Sequence, residues 1–231
     1  FSDVRLIQVI QSAAVITLIL NVAAMWKQEV RYPELTDHER ERPTFGSAWG
    51  EFINLPKARR LLWALGLGTM GFTMQDILLE PYGAHVLGLS VSETTLLTAL
   101  FAGGMVLALL MTSRTLKKGV DPIRLASVGV LIGIVAFVAV ILSAPLHSTG
   151  LFQIGATLIG VGNGLFAVGM LTAAMVFGGA KMAGLTLGAW GAVQAAATGL
   201  AMFSGGAIRD VVTGWADAGL LGVAMQTPAS G

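Results

Sequence analysis

Six stretches of this chain are apolar for long enough to cross a bilayer, and the polar positions gather between them. A bilayer core takes roughly 20 apolar residues in a helix. The six run over about Leu6–Trp26, Leu61–Leu79, Thr94–Thr112, Ile123–Ala144, Leu151–Phe177 and Leu185–Ala207. The connections are Lys27–Arg60, Glu80–Glu93, Ser113–Pro122, Pro145–Gly150 and Gly178–Gly184. In the first connection Glu34–Arg42 reads ELTDHERER, a solvated charged run. In Pro43–Leu55, which follows, Phe45, Trp49, Phe52 and Ile53 share one helical face. That spacing predicts a short helix lying on the membrane surface or packed on the underside of the bundle. After Ala207, Arg209, Asp210 and Asp217 make the tail too polar for a seventh span. Its Val211, Val212, Trp215, Leu220 and Leu221 predict an external amphipathic segment.

Composition and charge turn this pattern into a fold class. Hydrophobic residues make up 55% of the chain and charged residues 12%, about half the share in a soluble domain. A net charge of +1 gives no field that would attract nucleic acid. With no cysteine, disulfides, thiolate metal sites and Cys nucleophiles are excluded. Lys27, Arg31, Arg40, Arg42, Lys57, Arg59, Arg60, Arg114, Lys117, Lys118, Arg124 and Lys181 fall on one side of the alternating spans. Only Arg5 and Arg209 fall on the other. The positive-inside rule therefore predicts that Lys27–Arg60 is cytoplasmic and Glu80–Glu93 external. A charged cytoplasmic loop followed by five spans has the layout of a major facilitator, two six-span halves joined at the centre. The expectation is an all-α, polytopic membrane helical bundle: the C-terminal half of a major facilitator fold plus the preceding helix, in an incomplete chain that lacks its last span. Residues 1–26 would end the N-terminal half, 27–60 form the central loop, 61–207 supply five spans, and 208–231 lead to the missing helix.

Close packing and candidate chemistry occupy separate stretches. Gly129/Gly133, Gly160/Gly164 and Gly184/Gly188 each place small residues one turn apart, which lets helices approach closely. Gly155, Gly162 and Gly169 make Leu151–Phe177 richer still, for tight packing or for lining a cavity. Charges inside a span are costly and face the protein interior. The clearest case is Gln75-Asp76-Ile77-Leu78-Leu79-Glu80-Pro81-Tyr82-Gly83, at the outer end of the second span. Asp76 and Glu80 are four apart and share a helix face, so burial of both would set one carboxylate against the other. Pro81 is expected to end the helix and Tyr82-Gly83 to begin a turn. Two readings stand: a polar site for binding or proton relay, or an interfacial helix end. Asn163 and Gln194 are embedded polar residues, either interhelical glue or lining contacts. His38 lies in the charged loop, and His85 and His147 lie in outer loops, as surface residues or as ligands for a metal such as a chlorin magnesium. No HExxH, Ser-His-Asp or phosphate-loop pattern occurs, so no catalytic or metal site is predicted and the chain is not expected to be an enzyme.

The string MQDILLEPYGAHVLGLSVSETT (Met74–Thr95) closely resembles the signature of the PucC/LhaA family, also called the bacteriochlorophyll delivery family. Arg5–Glu29 and Gly205–Val212 are similar to it as well, so the resemblance covers essentially the whole chain. Its specific part is QDxLLEPYG, matched by Gln75, Asp76, Glu80, Pro81, Tyr82 and Gly83. Ser113–Pro122 is similar to the basic turn of general major facilitators but lacks the full pattern, which weakens a plain transporter reading. The resemblance implies a major-facilitator-fold protein of the photosynthetic inner (intracytoplasmic) membrane of a phototrophic bacterium. It implies assembly of light-harvesting antenna complexes, with antenna polypeptides or a reaction centre–antenna complex as partners. It further implies binding or delivery of bacteriochlorophyll, with carotenoid as a companion pigment and His85 and His147 as weak pigment-ligand candidates. The alternative is a proton-coupled secondary transporter that uses Asp76 and Glu80.

Overall fold

The computed structural model describes residues 3–26 and 44–218. The charged run Glu34–Arg42, His38 and the tail beyond Ala218 lie outside the described residues. Every described element is helical: α1 (Asp3–Met25), α2 (Phe45–Asn54), α3 (Pro56–Met74), a 3₁₀ turn (Gln75–Ile77), α4 (Leu79–Val86), α5 (Val91–Lys117), α6 (Pro122–Ser143) and α7 (Thr149–Asp217). The chain divides into two units, α1 with the residues up to Thr44, and everything from Phe45 onward.

Within the first unit, α1 exposes apolar side chains along its length, from Ile10 through Ile16 and Leu20 to Met25. Three of its polar side chains bond back to their own helix. Ser12, Thr17 and Asn21 each donate to the backbone carbonyl four residues earlier, at 2.7, 2.8 and 2.8 Å. In hydrocarbon, where no water can take these bonds, internal pairing is the available solution.

In the second unit α7 is two helices. Gly179 alone has non-helical angles (φ 49°, ψ −164°), a region essentially closed to residues with a Cβ. We call the arms α7a (149–178) and α7b (180–217). A Cβ built on Gly178 would lie 2.8 Å from Thr186 Oγ1 and 3.0 Å from Ala183 Cα. Residues eight apart in a straight helix stand about 12 Å apart, so the chain reverses at Gly179. The predicted loop Gly178–Gly184 thus shrinks to one residue; Lys181 interrupts the apolar pattern without interrupting the helix. Nor is there a separate segment from 208 within the described residues, because α7b runs unbroken to Asp217.

The arm α7a is the central post, contacted by α3, α5 and α6. A Cβ on Gly129 would sit 2.5 Å from the Gly162 carbonyl oxygen, and one on Gly162 would sit 2.7 Å from that of Gly129. The α6 and α7a backbones therefore touch, and only hydrogen at both positions permits it. Gly104 on α5 and Gly160 on α7a make the same approach, Gly104 against Thr157 and Gly160 against Phe101. Gly184 and Gly188 have open space where a Cβ would go, so the third small-residue pair packs nothing. Contacts also give helix directions. Gly129 meets Gly162 and Gly169 meets Ala126, so α6 and α7a are antiparallel; Gly104 meets Thr157 and Gly164 meets Ala108, so α5 and α7a are parallel. Leu61, Leu65 and Phe72 of α3 join Ala126 and Ala136 of α6 and Ile159, Phe166 and Met170 of α7a in the main core.

The short helix α2 packs on the bundle. Phe52 is fully buried, its ring edge-on to Phe177 at 6.1 Å, beside Ala58, Leu62 and Ala189. Phe45 at the helix start remains exposed.

Three described helices are long and apolar enough to cross a membrane: Val91–Lys117, Pro122–Ser143 and Thr149–Gly179. The other three expected spans are helical over most of their length but fall short of that standard. In α1 the apolar run is Ile10–Met25; α3 carries Lys57, Arg59 and Arg60 in its first turns; α7b dilutes its aliphatic residues with Gly, Ala and Gln194. The chain is a helical membrane protein.

Candidate functional site

Pro81 organises the signature segment, though not as a helix terminator. A proline lacks the N–H that would bond the carbonyl four residues back, and its ring collides with that carbonyl. For Pro81 that residue is Ile77, and the chain departs from α-helix at Gln75–Ile77. Pro81 then lies in the first turn of α4, where the missing donor costs nothing. The helix continues through Tyr82 and Gly83 to Val86, and the turn comes later, at Gly88 (φ 65°). The expected order, helix end at Pro81 and turn at Tyr82-Gly83, is corrected accordingly.

The side chains of this segment tie three helices together. Gln75 is buried; its Nε2 donates to the Asp76 carboxylate, and its Oε1 is enclosed without a partner. Glu80 Oε1 accepts from Thr98 Oγ1 of α5 at 3.0 Å. The Tyr82 ring packs on Phe152 of α7a, centroids 5.8 Å apart. Gly83 is buried so tightly that a Cβ would lie 3.0 Å from the Phe152 ring and 3.2 Å from Leu89 Cδ1. The Gly83 carbonyl also accepts the Leu89 N–H at 3.1 Å. Beyond the turn, the Glu93 carboxylate takes the Ser90 N–H at 2.8 Å and the Ser90 hydroxyl at 2.7 Å, closing the start of α5.

Asp76 and Glu80 are both exposed and take different partners, so the buried like-charge pair that their spacing allowed is not formed. Gln75, not a carboxylate, is the buried polar member. Among the described residues the ion pair present is Arg209–Asp210, so neither signature carboxylate is matched by a base. Thr98 and Phe152 complete the corner from distant sequence positions. No sequence signal pointed to either, since a hydroxyl in α5 and a ring in α7a are unremarkable in such helices. Asn163 and Gln194 are half-buried, with no side-chain hydrogen bond among the described residues.

Of the two histidines named as ligand candidates, one is described with its side chain. His147 is exposed on the turn between α6 and α7 in a left-handed conformation (φ 46°), its N–H donating to the Ala144 carbonyl at 3.0 Å. His85 lies in α4. An apolar cleft of about 350 Å³ between α3 and α7b is lined by Leu62, Trp63, Gly66, Met70, Val193 and Ala197 among others, and by no histidine. It therefore does not fit a histidine-ligated chlorin. Among the described residues no three His, Asp or Glu gather as metal ligands.

Comparison with known proteins agrees with the signature. A protein of the puhA-bchM intergenic region of Rhodobacter capsulatus, described as uncharacterized, is 47% identical over all of this chain and 48% of its own length. Protein PucC of Rhodovulum sulfidophilum is 46% identical over 92% of this chain and 47% of its own. Protein PucC of Cereibacter sphaeroides is 42% identical over 94% and 47%. The chain thus spans about half the length of the curated relatives it matches. No solved structure matches. The family model described as PUCC protein matches residues 1–227, and the chain belongs to that family.

Proposed function

We propose that this chain is part of an assembly factor for bacterial light-harvesting antenna complexes, working in the photosynthetic inner membrane. Family membership along residues 1–227 is the observation that carries this reading. The surface suits it. The flanks of α5 and α6 expose Val106, Leu110, Leu131, Val135, Val138 and Ile141, an aliphatic face on which another membrane helix can pack. The corner built by Gln75–Gly83 then acts as a rigid rim, with Asp76 and Glu80 offering acceptors to a partner's donors. We further propose a major facilitator fold for the whole protein; the reversing directions of α5, α6 and α7a support it.

The apolar cleft between α3 and α7b carries no histidine in its lining. In this reading bacteriochlorophyll and carotenoid would be held on a surface shared with the antenna polypeptides, with His147 free to face that surface. The test is to purify the full-length protein from its native membrane in mild detergent, identify the co-purifying polypeptides and record the absorption spectrum. Antenna polypeptides are the expected companions, and their absence together with absence of pigment would sink the proposal. A proton-coupled transporter has less support, because Asp76 and Glu80 are exposed and separately bonded rather than buried on a path.

A further inference from the structure

The apolar cleft between α3 and α7b has the dimensions and the charge of a site for one phospholipid chain with an anionic headgroup. Its floor is buried: Leu62 and Ala197 are 9% and 4% exposed. Its lips are open, with Trp63, Leu67 and Leu200 at 71%, 64% and 58%. The small side chains of Gly66, Ala196 and Ala197 leave the space that larger residues would fill. Along α3 the cleft runs from Arg59 to Met70. At a rise of about 1.5 Å per residue this is roughly 16 Å, about half of a ~30 Å hydrocarbon core. One leaflet's acyl chain matches that length.

Charge decides which lipid. The lining contains one charged residue, Arg59, at the end where α3 begins. Lys57 and Arg60 flank it in the same turn, all three exposed, and among the described residues none of them has an ion-pair partner. Basic residues at a membrane surface attract anionic headgroups. The positive-inside reading puts this end in the cytoplasmic leaflet, where the acyl chain would extend toward the bilayer centre. A transmembrane helix would fill the apolar body equally well but would leave the three cations unanswered.

We infer that the cleft holds one anionic phospholipid of the cytoplasmic leaflet, its phosphate at Arg59 and an acyl chain along Trp63–Met70 and Val193–Leu200. The site is independent of the antenna reading, and its test involves no antenna component. The full-length protein is placed in nanodiscs of equal phosphatidylglycerol and phosphatidylcholine, re-extracted in mild detergent, and its retained lipid identified by native mass spectrometry. Retention of about one phosphatidylglycerol per chain is expected. Arg59→Gln should reduce the preference for phosphatidylglycerol about fivefold, and Ala196→Leu, at an exposed position, should abolish retention of either lipid. A photocrosslinking residue in place of Trp63 should label lipid. Unchanged preference in Arg59→Gln, retention in Ala196→Leu, or crosslinking of Trp63's replacement to a polypeptide or a pigment would each overturn the assignment.

Discussion

At the scale of single residues, the packing of this bundle rests on positions where hydrogen is the only side chain that fits. Gly129 and Gly162 each stand at van der Waals limit from the other's carbonyl. Gly162→Leu should therefore destabilise the protein by about 1–3 kcal/mol, the usual range for overpacking. Gly188→Leu, with open space at its Cβ, should be neutral; thermal unfolding of the two variants in one detergent separates them. Sequence alone marks 129/133, 160/164 and 184/188 alike, since the spacing of glycines says that a helix could be approached and not that it is. The carboxylates teach the same lesson. Spacing placed Asp76 and Glu80 on one face, but the partner of Glu80 is Thr98, and a bond across a turn leaves no trace in the spacing of either residue. Glu80→Ala should free α4 from α5, read as faster amide exchange at 80–86 with no change in the α6–α7a contact.

At the scale of elements, the apolar pattern located helices well and their ends poorly. Hydropathy reports where a chain can lie in lipid, whereas helix ends answer to backbone chemistry. That is why α3 stops at Met74, inside the expected Leu61–Leu79 span, and why α7b begins five residues before the expected sixth span. Pro81 is the backbone cause in the first case. Pro81→Ala restores a donor that can reach the Ile77 carbonyl, so residues 75–82 should tighten into continuous helix and their amide exchange should slow. No change in exchange there would show that another contact sets the break. For α2 the periodicity picked out the face that carries the buried Phe52, though Phe45 on that face stays exposed, and it did not say what covers the ring. Phe52→Ala removes a fully buried ring and should cost about 3–5 kcal/mol. Because α2 is short and held chiefly by that ring, the loss should appear first as protease cleavage near residues 45–54.

At the scale of the whole molecule, family and membrane character were both legible in advance, for different reasons. The apolar spans follow from solvent, and any lipid-embedded bundle shows them. The QDxLLEPYG string is rarer, because its residues answer to a specific corner in which Pro81 breaks a helix, Tyr82 and Gly83 pack on Phe152, and Glu80 bonds Thr98. The cleft between α3 and α7b was not legible, since its walls come from helices more than 120 residues apart and are made of the commonest membrane residues. Which partner the aliphatic faces of α5 and α6 meet is decided by what co-purifies from native membranes, antenna polypeptides being the expected answer.

The reversal at Gly179 fixes more than a direction. Loops act as slack: an inserted residue is absorbed there and the flanking helices keep their faces. Between α7a and α7b there is no slack. One residue inserted in the first turns of α7b would turn the rest of that arm by about 100° about its axis, carrying Val193 and Ala197 off α3 and bringing the smaller Ala192 to the place of Val193. Chain length from Gly179 to Ala197 should therefore be held constant through evolution even where the residues themselves drift, and a tag or reporter placed at this turn should disable the protein.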